Sequence, residues 1–290
     1  MSKTGKIVLT VIIVFLVLTT LLSITIAIAS LSKSDGSFGF EQVAVVEIKS
    51  EIRNVNFVLK TLENIRKKKS VKAVVIRIDS PGGGVAPSQE IYESILKLRK
   101  SGKKVIATMG TVSASGGYYI ACACDKIVAN PGTLTGSIGV ILLHYDISPI
   151  MDKIGVKVEP IKSSAYKDIM SPFRPMEEAE KKLLLETVTD VYEQFIEVVS
   201  KGRNLSKGFV KQYADGRIFT GRQAKKYNFV DELGTYEDAI DLAKKEANLK
   251  KEASVKYYKK PKKLWFDMED VDQKLDNLSN SRIEILYRMH

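Results

Sequence analysis

The sequence predicts an α/β protein whose mostly parallel sheet is flanked by helices. Three observations predict it. Strand and helix patterns alternate from Val43 to Ala123. A glycine run, "SPGGG" at 80–84, ends one strand pattern. A serine- and glycine-rich phrase, "MGTVSASGGYYIACA" at 109–123, ends another and opens a helix. A βαβα order argues for parallel strands with crossover helices. Ligands in such sheets bind beyond the carboxyl ends of the strands, where both phrases fall.

Taken in order, "VAVVEI" (43–48) is a compact apolar strand. "VNFVLKTLENIRKKK" (55–69) places Val58, Leu59, Leu62 and Ile65 at helical spacing. "VKAVVIRID" (71–79) is a strand, and "APSQEIYESILKLRKSG" (86–102) is a helix closed by a glycine. "KVIATMG" (104–110) is a strand, and "SGGYYIACA" (115–123) begins a helix. "KIVANPGTLTGSIGVIL" (126–142) alternates strand and turn signals. The segment 177–203 is an amphipathic helix whose stripe is Leu184, Val188, Val191, Phe195 and Val198 or Val199. A further helix is predicted over 236–249, and no internal repeat is found.

The 290 residues are 44% hydrophobic and 27% charged, ordinary globular values. The net charge of +11 points to an anionic partner, and scattered charges without a nucleic-acid motif favour a membrane surface over nucleic acid. Cys122 and Cys124 are too few for a disulfide scaffold or a zinc site and read as buried small residues. From Ile7 to Ser32 there is no charged residue. That run exceeds the ~20 residues that span a bilayer, and it is longer than the hydrophobic region of a cleaved signal peptide, although Ala27-Ile28-Ala29 has a cleavable form. The expectation is a retained transmembrane anchor over 7–32. Lys3 and Lys6 place residues 1–6 in the cytoplasm and the remainder outside. Residues 33–42 read as a linker, 43–254 as the catalytic domain and 255–290 as a basic and polar tail. That tail is either solvated or docked on a subunit or lipid.

Acyl transfer needs a nucleophile, a base and two donors for the oxyanion. Ser115, at a strand end and opening a helix, suits the first role, and Gly116 leaves an N–H unobstructed beside it. Ser113 stands where a Gly-x-Ser-x-Gly elbow has glycine, so the α/β-hydrolase motif is absent. The Gly82-Gly83-Gly84 loop can bring N–H groups close to a ligand, and without Gly-Lys-Ser/Thr it is not a P-loop. Gly82 and Gly116 could together supply two oxyanion donors. The chain has only His144 and His290. The first lies in an apolar stretch and the second at the chain end, so neither is a convincing base. A lysine held neutral can replace histidine, and Lys167 in "IKSSAYKDIM" is a candidate, although Asp168 beside it would oppose deprotonation. The residues alone do not single it out.

Four phrases together, "RIDSPGGGV", "TMGTVSASGGYYIACACDKIVANPGTLTGSIGV", "SSAYKDIMSPFRPM" and "DGRIFTGRQAKKYNFVDELG", resemble in order the signal peptide peptidase A family. These are membrane-anchored Ser/Lys proteases with a fold like that of Clp protease and crotonase. The resemblance implies Ser115 as nucleophile, Lys167 as general base and Ser137 as the residue orienting the lysine amine. It implies Gly82 and Gly116 as oxyanion donors, with Gly83 and Gly84 beside the substrate. It implies no metal, nucleotide or other cofactor. It also implies a ring of subunits that cuts remnant signal peptides, with serine and lysine from neighbouring chains. Two other functions compete: a non-catalytic ring-forming membrane scaffold, and an acyl-CoA enzyme of the crotonase type.

Overall fold

The computed structural model describes residues 12–25 and 41–260, and the backbone of residues 285–288. Contacts divide the chain into two units, Met1–Phe40 and Glu41–His290. In the first, residues 12–25 form an α-helix, α1. Its apolar side chains are exposed, Phe15 and Leu22 to 66% and 61%. Thr19, Thr20, Ser23 and Thr25 return their hydroxyls to backbone carbonyls three or four residues back. No helix among the described residues is long and apolar enough to cross a membrane. The flanks of the expected anchor, 7–11 and 26–32, lie outside the described residues.

The second unit is built on one large sheet. Its strands are β1 (Gln42–Lys49), β2 (Val71–Ser80), β4 (Lys104–Ala114), β5 (Lys126–Ala129), β9 (Glu232–Leu233) and β10 (Ser254–Tyr258). Their order is β10-β1-β2-β4-β5-β9, and every pair in it is parallel. β6 (Leu134–Gly136) adds in parallel to the far end of β4, and β8 (Ile218–Thr220) pairs antiparallel with β6. The mostly parallel sheet expected from the sequence is therefore present, with helices on both faces.

Strand periodicity explains the two faces. Ala44, Val46, Ile48, Val74, Ile76 and Ile78 point to the larger core. There they meet α2 (Asn56–Lys67), α3 (Val85–Lys100), α4 (Gly116–Ala121) and α6 (Glu178–Arg203). The alternate residues Val43, Val45, Ala73, Val75 and Ile106 form a smaller core under Ala239, Ile240 and Ala243 of α9 (Tyr236–Glu246). Val191, Phe195, Val198 and Val199 of the predicted α6 stripe are buried, whereas Leu184 and Val188 are half-buried. Tyr213 of α7 (Lys207–Tyr213) and Tyr227, at the end of α8 (Gly221–Lys226), pack with Phe219 around the Phe229 ring. The buried Tyr118 ring meets Phe229 edge-on, and its hydroxyl donates to the Phe229 carbonyl at 2.9 Å.

Three features were not expected. β4 runs four residues past Gly110, to Ala114. Its register with β2 slips there, from Ile78↔Met109 to Ser80↔Ser113, because Gly110 and the two residues after it bulge outward. A Cβ at Gly110 would lie 2.8 Å from the Asp79 carboxyl carbon, and Asp79 accepts a bond from the bulged Val112 N–H. Second, the glycine run is itself a short strand, β3 (Gly82–Gly84). It belongs to a second sheet with β7 (Ile141–Leu142) and β11 (Ile285–Arg288), in the order β3-β11-β7. Third, the segment read as a tail contributes β10 to the edge of the main sheet and β11 to the middle of the small one.

Cys122 and Cys124 are free and buried in the larger core, as their apolar setting in the sequence implies. Burial pushes the Cys122 thiol up to about 12 and raises Cys124 too. Only the thiolate reacts, so both should be inert toward a disulfide reagent in the native protein at mildly alkaline pH. Both should titrate once guanidinium chloride unfolds the chain; the thiol-release absorbance measures this.

Candidate active site

The site gathers at the carboxyl ends of β2, β4 and β6. Ser115 follows the last residue of β4 and caps α4, with φ 53° and ψ −118°. Few residues other than glycine adopt a positive φ, and such strain persists only where surroundings enforce it. Here the Ser115 N–H donates to the Gly136 carbonyl at 2.8 Å, and the Ser115 carbonyl accepts from the Tyr119 N–H at 2.8 Å. Both backbone groups are thus committed, and the side chain is turned off the strand axis. The conformation sets Ser115 on a strand-to-helix corner, reached without the glycine-flanked motif. Ser115 is fully buried, and its Oγ has no hydrogen-bond partner.

Gly116 opens α4, so its N–H has no helical acceptor and is available beside Ser115. Gly117 must be glycine for packing: a Cβ there would lie 3.1 Å from the Ser80 carbonyl and 3.3 Å from Ile78. Ser137 stands beside Ser115. β4 and β6 pair with Ala114 opposite Gly136, so the two serines occupy the next position on adjacent parallel strands. Ser137 is also at positive φ, 49°, buried, and tied by its N–H to the Arg217 carbonyl at 2.8 Å. Ser113 is buried within β4, and its Oγ is unpartnered too.

The Gly82 loop reaches the same edge. Ser80 pairs with Ser113, and β3 follows at once. The Gly82 N–H is not free: it donates to Ser80 Oγ at 3.1 Å. Ser80, fully buried, is a site residue that sequence reading missed; only its place two residues before the glycine could have marked it. Gly82 and Gly83 have φ of 106° and 154°, and the Gly84 N–H donates to the Ile52 carbonyl at 2.8 Å. Along the other edge of β3 lies β11, antiparallel, with Leu286, Tyr287 and Arg288 opposite Gly84, Gly83 and Gly82. On its far side β11 pairs with β7. An extended segment of this chain therefore fills a groove whose wall is the glycine strand.

Lys167 makes no hydrogen bond to this cluster within one chain. It is exposed, on an arm between α5 (Ser148–Lys153) and α6, and its amine has no hydrogen-bond or ion-pair partner among the described residues. Ser115 Oγ, being unpartnered, bonds neither it nor His144. The lysine whose pKa burial lowers is Lys103, which donates to the Lys68 and Val71 carbonyls at 2.7 Å. Lys103 precedes β4 and Ser115 follows it, so Lys103 sits at the wrong end of the sheet.

Comparisons with known proteins give the family. Residues 97–250 match the model of peptidase family S49. The chain is similar to a candidate protease of Synechocystis sp., 49% identical over 64% of this chain and 66% of that one. It is similar to a candidate signal peptide peptidase of Enterococcus faecium, 41% identical over 72% of this chain and 60% of that one. A candidate protease of Methanocaldococcus jannaschii is 34% identical over 87% of this chain and 86% of its own length. The matched stretches span less than two thirds of the first two relatives.

Gly83 offers a direct test of the groove. A Cβ there would lie 2.4 Å from the Ile52 carbonyl oxygen, in a backbone conformation that L-residues rarely adopt. Gly83→Ala should lower stability by about 1–3 kcal/mol and displace β3 from the site. Thermal unfolding and peptide cleavage should therefore fall together.

Proposed function

The chain belongs to peptidase family S49, whose members are serine-type endopeptidases, and we propose from that premise that it cuts peptide bonds with Ser115 as nucleophile and Lys167 as general base. The strained corner conformation of Ser115 carries this reading, because it aims an otherwise unpartnered hydroxyl beside a free helix N-terminus. Ser115 Oγ attacks the scissile carbonyl and passes its proton to neutral Lys167. The N–H groups of Gly116 and Gly82 receive the oxyanion, Gly82 once the Ser80 hydroxyl rotates away. The amine leaves with the proton from Lys167, and water, activated by the same lysine, releases the acyl group from Ser115. Ser137, next to Ser115 across the β4–β6 pair, orients the lysine amine.

The base arrives from a second copy of the chain. Lys167 is exposed while Ser115 is fully buried, and the arm bearing Lys167 displays Ile154, Val156, Val158, Ile161 and Tyr166 to solvent. Apolar exposure on that scale marks an interaction surface, here the contact between neighbours in a ring. Substrates add as a strand along Gly82–Gly84, with backbone bonds giving affinity and side-chain pockets giving choice. The substrate class is remnant signal peptides. The uncharged run Ile7–Ser32, with the exposed apolar face of α1 inside it, supports a membrane anchor that holds the enzyme on the extracytoplasmic side.

A serine-directed fluorophosphonate should label the wild type, and Ser115→Ala should abolish labelling and lower cleavage by about 10⁴-fold or more. Lys167→Ala should be as inactive. Mixing the two inactive variants and allowing subunits to exchange should restore activity, since some interfaces then pair an intact serine with an intact lysine. Continued inactivity of well-assembled mixtures would place both residues in one chain. Because β11 lies where a substrate strand would add, deleting residues 285–290 should raise kcat/KM for short peptides at least twofold, through a lower KM. An unchanged KM would count against a shared groove.

A further inference from the structure

The arm that carries Lys167 has few backbone ties. Within it the Lys167 N–H reaches the Ser164 carbonyl at 3.3 Å and the Ile169 N–H reaches the Tyr166 carbonyl at 3.2 Å. The Ile147 N–H holds the Pro172 carbonyl at 2.8 Å. Residues 155–167 are exposed throughout. What fixes the end of the arm is Arg174. Its Nε and Nη2 donate to the two Asp168 carboxylate oxygens at 2.9 and 3.0 Å. Its Nη1 and Nη2 donate to the two Glu180 oxygens at 2.8 and 2.5 Å. One planar guanidinium thus bridges two carboxylates, each bidentately, a geometry that lysine cannot reproduce.

The far anchor is rigid. The Glu180 side chain is only 2% exposed, and it accepts the Glu177 N–H as the capping box of α6. The Arg174 guanidinium beside it lowers its carboxyl to about 2. The near anchor, Asp168, is the residue after Lys167. Its carboxylate is taken up by Arg174 and by Lys162, whose Nζ lies 2.6 Å away, and Arg174 holds it well below the usual range. A carboxylate next to a base lysine would hold the ammonium form and delay proton acceptance; here it is engaged elsewhere.

We propose that Arg174 is a positioning residue for Lys167: it clamps Asp168 to the buried Glu180, fixing the lysine-bearing turn and withholding the Asp168 carboxylate from the lysine. The inference rests on the reading of Lys167 as general base. Arg174 touches neither substrate nor the reacting atoms and acts through Asp168 and the turn.

The test is steady-state peptide cleavage by the full chain, with assembly and thermal unfolding followed in parallel. Arg174→Ala should lower kcat by about 10²-fold, the scale of a misplaced catalytic group, with KM within twofold. Added guanidinium ion at non-denaturing concentration should restore part of kcat. Adding Asp168→Asn to Arg174→Ala should also raise kcat, because the released carboxylate is then gone; a residue important only for folding would show neither recovery. Arg174→Lys, which keeps the charge but not the double fork, should resemble the alanine variant and serves if that one fails to assemble. Wild-type kcat in either assembled variant would overturn the proposal, as would a loss that neither guanidinium nor Asp168→Asn relieves. Lys167→Ala, run alongside, separates the two readings. If it is inactive while Arg174→Ala is fully active, only the clamp fails. If Lys167→Ala retains full activity, both fall.

Discussion

The hydrogen bond from the Ser115 N–H to the Gly136 carbonyl is the constraint on which the rest of the site depends. It ties the end of β4 to the end of β6 and holds Ser115 at positive φ, so that α4 starts in a fixed direction. From that one bond follow the position of the Gly116 N–H, the adjacency of Ser115 and Ser137, and the packing of Gly117 against β2. Gly136 can serve because it lacks a side chain: a Cβ there would meet the Phe219 ring at 2.5 Å. The aromatic cluster around Phe229, to which Phe219 belongs, therefore sets how closely the site can be drawn together.

Sheet and helices were legible in the sequence where burial imposes a period. β1, β2 and α3 have apolar residues at strand or helix spacing, and their predicted limits differ from the observed ones by only a residue or two. What failed did so where period and composition conflict. The predicted strand stops at Gly110, where small residues begin, yet a bulge lets residues 111–114 continue β4. Gly82–Gly84 has no side chains to show a period, so a strand held by Ile52 and β11 reads as a turn. β10 is an edge strand, whose pairing is satisfied by backbone groups whatever the side chains, and the four residues of β11 are too short a run to stand out from the polar segment around them. Of the site, Ser115, Ser137, Gly82 and Gly116 share one edge as the motifs implied. The acceptors were not foreseen although they lie close in sequence: Ser80, two residues before Gly82, and Glu180, six residues after Arg174, are picked out only by the direction in which the folded backbone turns their side chains.

Burial alone is only half a criterion for the base. A lysine that accepts protons must be kept from its charged form, and burial is the common means. By that criterion Lys103 would be chosen, because it is buried and its pKa falls. Topology rejects it, since a parallel strand separates its two ends by its full length and Lys103 lies at the amino end of β4. Chemistry in a parallel sheet is confined to the carboxyl edge, so the position of a titratable group outranks its tendency to lose a proton.

The same confinement gives the proposed supply of the base by a second chain a physical reason. The carboxyl edge already holds Ser115, its neighbour Ser137, the glycine strand and whichever strand lies along it. A lysine added there within one chain would be buried against Ser115 at all times, with its desolvation borne by the folding of each monomer. On the exposed arm it is hydrated, and docking on a partner surface, as proposed, would move the cost of desolvation from folding to assembly. Arg174 and Glu180 then give an otherwise unsupported arm one shape in advance, so that little order must be gained when it docks. On that proposal activity and assembly would be a single event, while within one chain Ser115 is strained, buried and unpartnered.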